Sequence, residues 1–248
     1  MFKKILIANR GEIACRVIKT AKKMGIKTVA IYSDADRQAL HVQMADEAVH
    51  IGPPPANQSY IVIDNVMRAI KETGAEAVHP GYGFLSENVD FARRCQEEGL
   101  VFVGPSPDVM DQLGDKVAAK NIARAVGVPL IEDSQVPLTT VEIALAEAER
   151  IGYPVVLKPL NANHGRGVSI NLTTTEQVVE AFSMALEQGT GSAVLVESYI
   201  EGMDHRMLVV NNELVAVAKR VPGHVVGDGC KTIAELIDTV NEDPRRGI

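Results

Sequence analysis

Residues 4–33, KILIANRGEIACRVIKTAKKMGIKTVAIYS, decide the fold class. The run KILIA is a short apolar strand, and Ile13, Val17 and Ala21 then recur at helical spacing. Gly25 ends that helix, and TVAIYS follows it as a second apolar strand. The stretch therefore predicts strand, helix, strand, which is the repeating unit of a parallel sheet covered by helices.

The same unit recurs further along the chain. Apolar residues at helical spacing between residues 63 and 70 precede Gly74 and the run AEAVHP, and another helical pattern precedes Gly99 and LVFVG. Such steps form right-handed parallel crossovers, so residues 1–113 are predicted to be an α/β, doubly wound parallel domain of Rossmann-like type. No G-x-G-x-x-G motif follows these strands, so a dinucleotide site is not indicated.

The pattern changes over residues 114–248. Capping boxes at Thr139 and Thr173 predict the starts of two helices, and strands alternate with them. The paired asparagines Asn211 and Asn212 separate MLVV from LVAVA, and asparagine tolerates the positive φ of a tight turn. We therefore expect a second, mixed α+β domain that includes an antiparallel hairpin.

Residues 154–168, PVVLKPLNANHGRGV, have the pattern of a polyphosphate site. Lys158 lies at the end of an apolar strand, on the same face as apolar neighbours by the period-two rule. Gly165 and Gly167 would let backbone N–H groups approach an anion, and Arg166 between them carries a forked donor. A polar hairpin turn without any ligand fits the same residues, because Asn and Gly also favour tight turns.

Composition and charge exclude several classes of protein. The 248 residues are 46% hydrophobic, enough for about two folded domains rather than a disordered segment. The formal net charge of −7 argues against general nucleic-acid binding, which needs a basic surface. No run approaches the roughly 18 apolar residues of a membrane helix, so no membrane partner is predicted.

The cysteines and the amino terminus indicate the compartment. Cys15, Cys95 and Cys230 are far apart and form no CxxC motif or Cys/His cluster, so neither a disulfide framework nor a zinc site is indicated. The apolar run after Met1 is too short for a signal peptide. We therefore expect a reducing, cytoplasmic setting.

Different parts of the chain resemble two protein families. ILIANRGEIACRVIKTAKKMGIKTVAIYSDAD, ADEAVHIG and HPGYGFLSEN closely resemble the amino-terminal, pre-ATP-grasp domain of biotin carboxylase, above all the subunit of propionyl-CoA carboxylase, over residues 1 to about 130. YPVVLKPLNANHGRGVSINLTT, DHRMLVV and HVVGDGCKTIAELIDTVNEDPRRG are more similar to the ATP-grasp domain of cyanophycin synthetase, over about residues 150–248. The resemblance implies a mosaic, or chimera, with an incomplete ATP-grasp domain at its carboxyl end.

The resemblance also implies which residues meet ATP. They are Lys116 and Lys158 at the phosphates, His164, Gly165, Arg166 and Gly167 as a mobile lid, Glu197, Ser198 and Ile200 at adenine, and Asp204 at the ribose.

Each of these positions has a purely structural alternative. Lys116 fits a surface charge in a first helical turn, although a helix start disfavours cations. Glu197 could simply be exposed at the end of a strand, and Asp204 could lie on a solvated strand edge. Tyr82 and Glu87 match positions near the biotin and bicarbonate site of biotin carboxylases, but a structural loop also explains their motif.

The implied reaction is that of an ATP-grasp ligase. Bicarbonate or a carboxylate is phosphorylated by ATP to an acyl phosphate, which a biotin nitrogen or an amino-acid acceptor then attacks. Lysines, backbone N–H groups and Mg²⁺ spread the charge of the transferred phosphoryl group. The resemblance places the Mg²⁺ ligands beyond the matching stretch, so no metal ligand and no complete catalytic set is predicted within the chain.

We therefore expect a chain that binds ATP but is incompetent for full turnover. The alternative is a non-catalytic or engineered chimeric nucleotide-binding scaffold. A homodimer is a further expectation, because Arg16 lies in a helix that biotin carboxylases use near their dimer interface.

Overall fold

A computed structural model describes residues 1–114, 116–161, 166–189, 191 and 193–243, and of Lys116 only the backbone. The chain divides into two compact units, Met1–Glu197 and Ser198–Ile248. The predicted domain boundary at residues 113 and 114 falls inside the first unit and stays a prediction.

The amino-terminal part of the first unit is built on a five-stranded sheet in the order β3-β2-β1-β4-β5, and each neighbouring pair is parallel. Its strands are β1 (Lys4–Ile7), β2 (Lys27–Ser33), β3 (Glu47–Gly52), β4 (Ala77–His79) and β5 (Val101–Phe102). Its helices are α1 (Gly11–Lys23), α2 (Leu40–Met44), α3 (Ile63–Thr73), α4 (Val89–Glu97) and α5 (Pro107–Gly114). The prediction of a doubly wound parallel fold is confirmed.

Alternate residues of β1 enter different hydrophobic cores, which shows how the sheet is covered. Ile7 belongs to a core shared with Ile18 of α1. Leu6 belongs to another core, shared with Val66 and Ile70 of α3. Because successive side chains of a strand point to opposite faces, helices pack on both faces of the sheet.

The rest of the first unit is a three-stranded sheet with three helices. Its elements are α6 (Lys116–Ala125), α7 (Val141–Ile151), β6 (Val155–Pro159), β7 (Ser169–Leu172), α8 (Thr175–Gln188) and β8 (Val194–Ser198). The strand order is β7-β6-β8, and β6 and β7 are antiparallel. Helices α7 and α8 bury Ala148 and Phe182 against Leu157 of β6 and Val196 of β8 in one core.

Both predicted helix starts in this part are displaced by one residue. The N-cap of α7 is Thr140, whose hydroxyl accepts from the N–H of Ile143, and the N-cap of α8 is Thr174, whose hydroxyl accepts from the N–H of Gln177. Two consecutive threonines precede α7 and three occur at the start of α8, and in each run the second threonine is the cap. As expected, each helix begins at a threonine whose hydroxyl accepts a hydrogen bond from a backbone N–H of the first turn.

The second unit contains the predicted antiparallel hairpin. Strands β9 (His205–Val210) and β10 (Glu213–Lys219) pair antiparallel, and the turn residues Asn211 and Asn212 have φ of 50° and 65°. Helix α9 (Ile233–Asn241) follows, with a complete capping box at its start. No helix among the described residues is long and apolar enough to cross a membrane.

Candidate nucleotide site

Strand β6 presents Lys158 away from the core. Val155, Leu157 and Pro159 are buried, whereas Val156 and Lys158 between them are only partly buried. The alternation matches the predicted period of two and leaves the lysine on the face opposite the core residues. The ammonium group, near the carboxyl end of the central strand β6, is therefore available to other polar groups on this face of the sheet.

Strand β8, the neighbour of β6 in the sheet, supplies the carboxylate that meets this lysine. Glu197 is only 6% exposed, and its Oε1 atom is in contact with Nζ of Lys158. The alternative that Glu197 is merely exposed at a strand end is wrong. Two residues that the resemblance assigned separately to phosphate and to adenine thus lie together as a partly buried ion pair.

Three further charged side chains extend this pair into what we call the ionic chain, which runs Arg124, Asp133, Lys120, Glu197, Lys158. Nζ of Lys120 lies 2.5 Å from Oε1 of Glu197 and 2.7 Å from Oδ2 of Asp133. Arg124 contacts Oδ1 of Asp133. Cations and carboxylates alternate along the ionic chain, so each carboxylate meets two cations.

Local structure explains why these charges meet. Lys120 and Arg124 are four residues apart in α6, which places them on one helical face. Asp133 forms an isolated antiparallel bridge with Glu197, which puts the two carboxylates on neighbouring chain segments. The two cations of α6 therefore lie next to the two carboxylates.

The contacts of the ionic chain favour the charged forms of Asp133 and Lys120. Burial would raise the pKa of Asp133, but the hydrogen bond and charge of Lys120 outweigh it and the pKa lies below its usual range. Burial would lower the pKa of Lys120, but hydrogen bonds to Asp133 and Glu197 outweigh it and the pKa is raised. Both shifts favour ions, as expected for buried charges that are paired.

The exposure and charge of the ionic chain fit an anionic ligand. The carboxyl-bearing side chains of Asp133 and Glu197 are 5% and 7% exposed, whereas those of Lys120 and Lys158 are 19% and 21% exposed. Three cations face two carboxylates, which leaves one positive charge in excess. A phosphate group that reaches this edge therefore meets ammonium groups rather than carboxylates.

Parts of the predicted lid and phosphate set lie outside the described residues. These are His164 and Gly165, together with the side chain of Lys116. Arg166 is exposed. The backbone N–H of Gly167 donates to Oε1 of Gln188 at 2.9 Å, and its contact with a phosphate stays a prediction.

The remaining predicted nucleoside residues belong to the second unit. Ser198 is partly buried and Ile200 is 65% exposed. Asp204 has an exposed carboxylate 3.7 Å from Arg220, and its carbonyl oxygen accepts from the N–H of Arg220 at 2.8 Å. The alternative of a solvated position next to a strand fits Asp204 as the structure describes it.

Tyr82 and Glu87, the predicted substrate residues, line one cleft of about 470 Å³ in the first unit. Buried Asn9 holds the loop that carries Tyr82, because its Nδ2 donates to the carbonyl oxygens of Pro80 and Tyr82 at 2.9 Å each. The loop is therefore fixed structurally and also borders a cleft, so the two interpretations of its sequence are compatible.

Lys120, Arg124 and Asp133 were missed by the sequence reasoning. A signal for two of them exists, since Lys120 and Arg124 follow Lys116 at intervals of four residues. No local signal marks Asp133, which lies in an extended segment. Among the described residues no group of three or more His, Cys, Asp and Glu could hold a metal ion.

Comparisons with known proteins give matches for both parts of the chain. The family described as biotin carboxylase, N-terminal domain, matches residues 1–110, and the family described as carbamoyl-phosphate synthase L chain, ATP binding domain, matches residues 115–218. The propionyl-CoA carboxylase alpha chain of Ruegeria pomeroyi is 52% identical over 209 residues, which is 83% of this chain and 30% of that protein.

A solved structure agrees with these matches. It is the biotin carboxylase domain dimer of Hydrogenobacter thermophilus 2-oxoglutarate carboxylase, in complex with MgADP, ADP and bicarbonate. It is 45% identical with a TM-score of 0.74, and the match covers 83% of this chain and 46% of that one. The chain thus spans less than half of this relative.

The expected mosaic with cyanophycin synthetase is not supported. The biotin carboxylase of Halalkalibacterium halodurans is 43% identical over 230 residues, which is 91% of this chain and 49% of that protein. One biotin carboxylase therefore aligns on both sides of the expected junction. Residues 1–110 match the biotin carboxylase N-terminal domain, residues 115–218 match the ATP-binding domain of the carbamoyl-phosphate synthase L chain, and the relatives of the chain include a biotin carboxylase and a propionyl-CoA carboxylase alpha chain.

Proposed function

We propose that this chain is the ATP-binding portion of a biotin-carboxylase-like ATP-grasp ligase that activates bicarbonate as an acyl phosphate. One observation carries the proposal: Lys158 and Glu197 lie side by side on neighbouring strands of a domain of ATP-binding type, at an edge with excess positive charge. Bicarbonate is preferred to an amino-acid acceptor because the relatives are carboxylases and one of them is described with bicarbonate.

In this proposal Lys158 binds phosphate oxygens, and Glu197 fixes its position. Lysines lower the activation free energy of phosphoryl transfer by stabilising the negative charge that the transition state spreads over the phosphoryl oxygens. Bound Mg²⁺ would neutralise further phosphate charge. Lys116 and the lid His164–Gly167 are proposed to act on the same phosphates, and Ser198, Ile200 and Asp204 to contact the nucleoside.

Other assignments follow from the relatives and stay proposals. Domains are assigned to residues 1–113 and 114–248. The cleft at Tyr82 and Glu87 is proposed to take bicarbonate or biotin. A homodimer is proposed because a relative is described as a dimer, and sedimentation at increasing concentration tests it. A cytoplasmic location also stays a prediction.

We further propose that this chain alone does not complete turnover, because the relatives that it matches are at least about twice as long. Release of ADP that depends on bicarbonate, above the level of Lys158→Met, would contradict this part of the proposal. ATP binding without such release would support it, and would equally fit a non-catalytic nucleotide-binding scaffold. Adding biotin tests whether the acceptor can be supplied separately.

Calorimetric titration with ATP tests the binding site itself. Lys158→Met is expected to weaken ATP binding by about 30-fold or more, since loss of a buried charge partner costs about 2 kcal/mol or more. The fold should survive, because Glu197 keeps its contact with Lys120. Lys71→Met is the matched control, because Lys71 also pairs with a glutamate, Glu98, but lies outside the site.

The result that would overturn the proposal is equal ATP affinity in the wild type and Lys158→Met. Absence of ATP binding in the folded wild-type chain would overturn it as well. GTP provides a specificity control, because a site built for adenine should bind it more weakly than ATP.

A further inference from the structure

Lys120 is the central cation of the ionic chain, and it shares one carboxylate oxygen with Lys158. Both ammonium groups contact Oε1 of Glu197. Lys120 also contacts Asp133, whereas Lys158 contacts no second carboxylate among the described residues. Lys158 therefore lies at one end of the ionic chain, and the only carboxylate that it contacts among the described residues is shared with Lys120.

The charge count shows what Lys120 does for Lys158. With Lys120 present, three cations share two carboxylates. Without it, Asp133 would pair with Arg124 and Glu197 would pair with Lys158. Each carboxylate would then have one cation, and each pair would have no net charge. A neutral, partly buried ion pair gives up its cation to a new anion at greater cost than a pair whose carboxylate already contacts a second cation.

We propose that Lys120 is a positioning residue for nucleotide phosphate binding: by sharing Oε1 of Glu197 with Lys158, it leaves Lys158 available to an anionic phosphate ligand. Lys120 acts through Glu197 and does not itself need to touch the ligand. The inference rests on the ATP binding that is proposed above. It adds that a residue of helix α6, outside the strands that carry Lys158 and Glu197, influences the affinity for ATP.

A purely structural ion pair makes different predictions. If Lys120 only stabilised the fold, its removal would lower the free energy of unfolding and would change the affinities for ATP and adenosine alike. Positioning of Lys158 affects only ligands that carry phosphate. The ratio of ATP affinity to adenosine affinity therefore separates the two roles.

The test compares Lys120→Met, Glu197→Gln and the double variant by titration with ATP and with adenosine. Lys120→Met should weaken ATP binding about tenfold with little change for adenosine, the loss expected when one charge interaction of about 1.4 kcal/mol is removed. Adding Glu197→Gln to Lys120→Met should restore the ATP-to-adenosine ratio, because Lys158 then faces a neutral amide. Lys71→Met, which removes a lysine from another Lys–Glu pair, should leave the ratio unchanged.

Two outcomes overturn the inference while the proposed function stands: an unchanged ratio in Lys120→Met, or no recovery in the double variant. Failure of the wild type to bind ATP overturns both. Should Lys120→Met not fold, Asp133→Asn gives an independent test. It keeps Lys120 and lets that residue bind Glu197 alone, so ATP binding should be tighter, and weaker binding would overturn the inference.

Discussion

Gly81 should be one of the least replaceable residues of the first unit. Its φ is +68°, and a Cβ placed on it would lie 2.7 Å from Nδ2 of Asn9 and from Cγ2 of Ile13. Asn9 cannot move aside freely, because the same Nδ2 donates two hydrogen bonds. Left-handed backbone costs a non-glycine residue about 1–2 kcal/mol, and overpacking adds about 1–3 kcal/mol, so Gly81→Ala should destabilise by about 2–5 kcal/mol.

Gly83 provides a matched control two residues away. Its φ is +66°, but a Cβ there would meet nothing within 4 Å. Gly83→Ala should therefore cost only the backbone part, about 1–2 kcal/mol. Urea unfolding followed by circular dichroism measures both variants. Equal destabilisation of the two would refute the argument that close packing against Asn9 decides the first position.

Three further outcomes can be measured. Stability should fall in acid: burial lowers the pKa of His41 below 6.5 and the Lys120 contact lowers that of Asp133 below 3.8, so both groups favour folding above their unfolded pKa values and lose this contribution as the pH falls. Urea midpoints should therefore decline below about pH 6.5, and Asp133→Asn should flatten the most acidic part of the curve. A thiol reagent should label exposed Cys230 rapidly in the folded chain but not Cys95, because burial raises the Cys95 pKa to about 12; equal labelling rates would contradict this. Leu157→Ala should cost about 2–5 kcal/mol in urea unfolding, since the side chain is fully buried in a core, and a smaller loss would mean that this core collapses around the gap.

The amino-terminal fold was predictable because its signals are local. Helices with apolar residues on one face, such as α3, end at glycines that adopt positive φ, as Gly74 does at 65°. Parallel strands alternating with such helices leave few topologies. The two displaced helix starts show the limit of local signals, because Thr139 and Thr140 can each supply the same hydroxyl and only packing selects one.

The candidate site was only half predictable, for a physical reason. Lys158 follows from the end of its strand and Glu197 from the family resemblance, but Lys120 is 77 residues from Glu197 and meets it only in the folded chain. No periodicity in the sequence encodes that contact. The mosaic interpretation is not supported for a related reason: a lysine strand with a glycine-rich tip suits phosphate binding in more than one protein family, so this local resemblance did not identify the parent family.

The position of Lys158 is fixed by the core as much as by its charge. A shift of β6 by one residue would bury Lys158 and expose Leu157, so the hydrophobic alternation alone selects the observed face. Glu197 then restrains the lysine side chain before any ligand arrives, and part of the entropy of ordering a free lysine, up to about 2 kcal/mol, is already lost in folding. A phosphate that binds exchanges partners with a carboxylate instead of ordering a mobile side chain. Affinity should therefore depend on how firmly Glu197 holds Lys158, and that is the quantity which Lys120 sets.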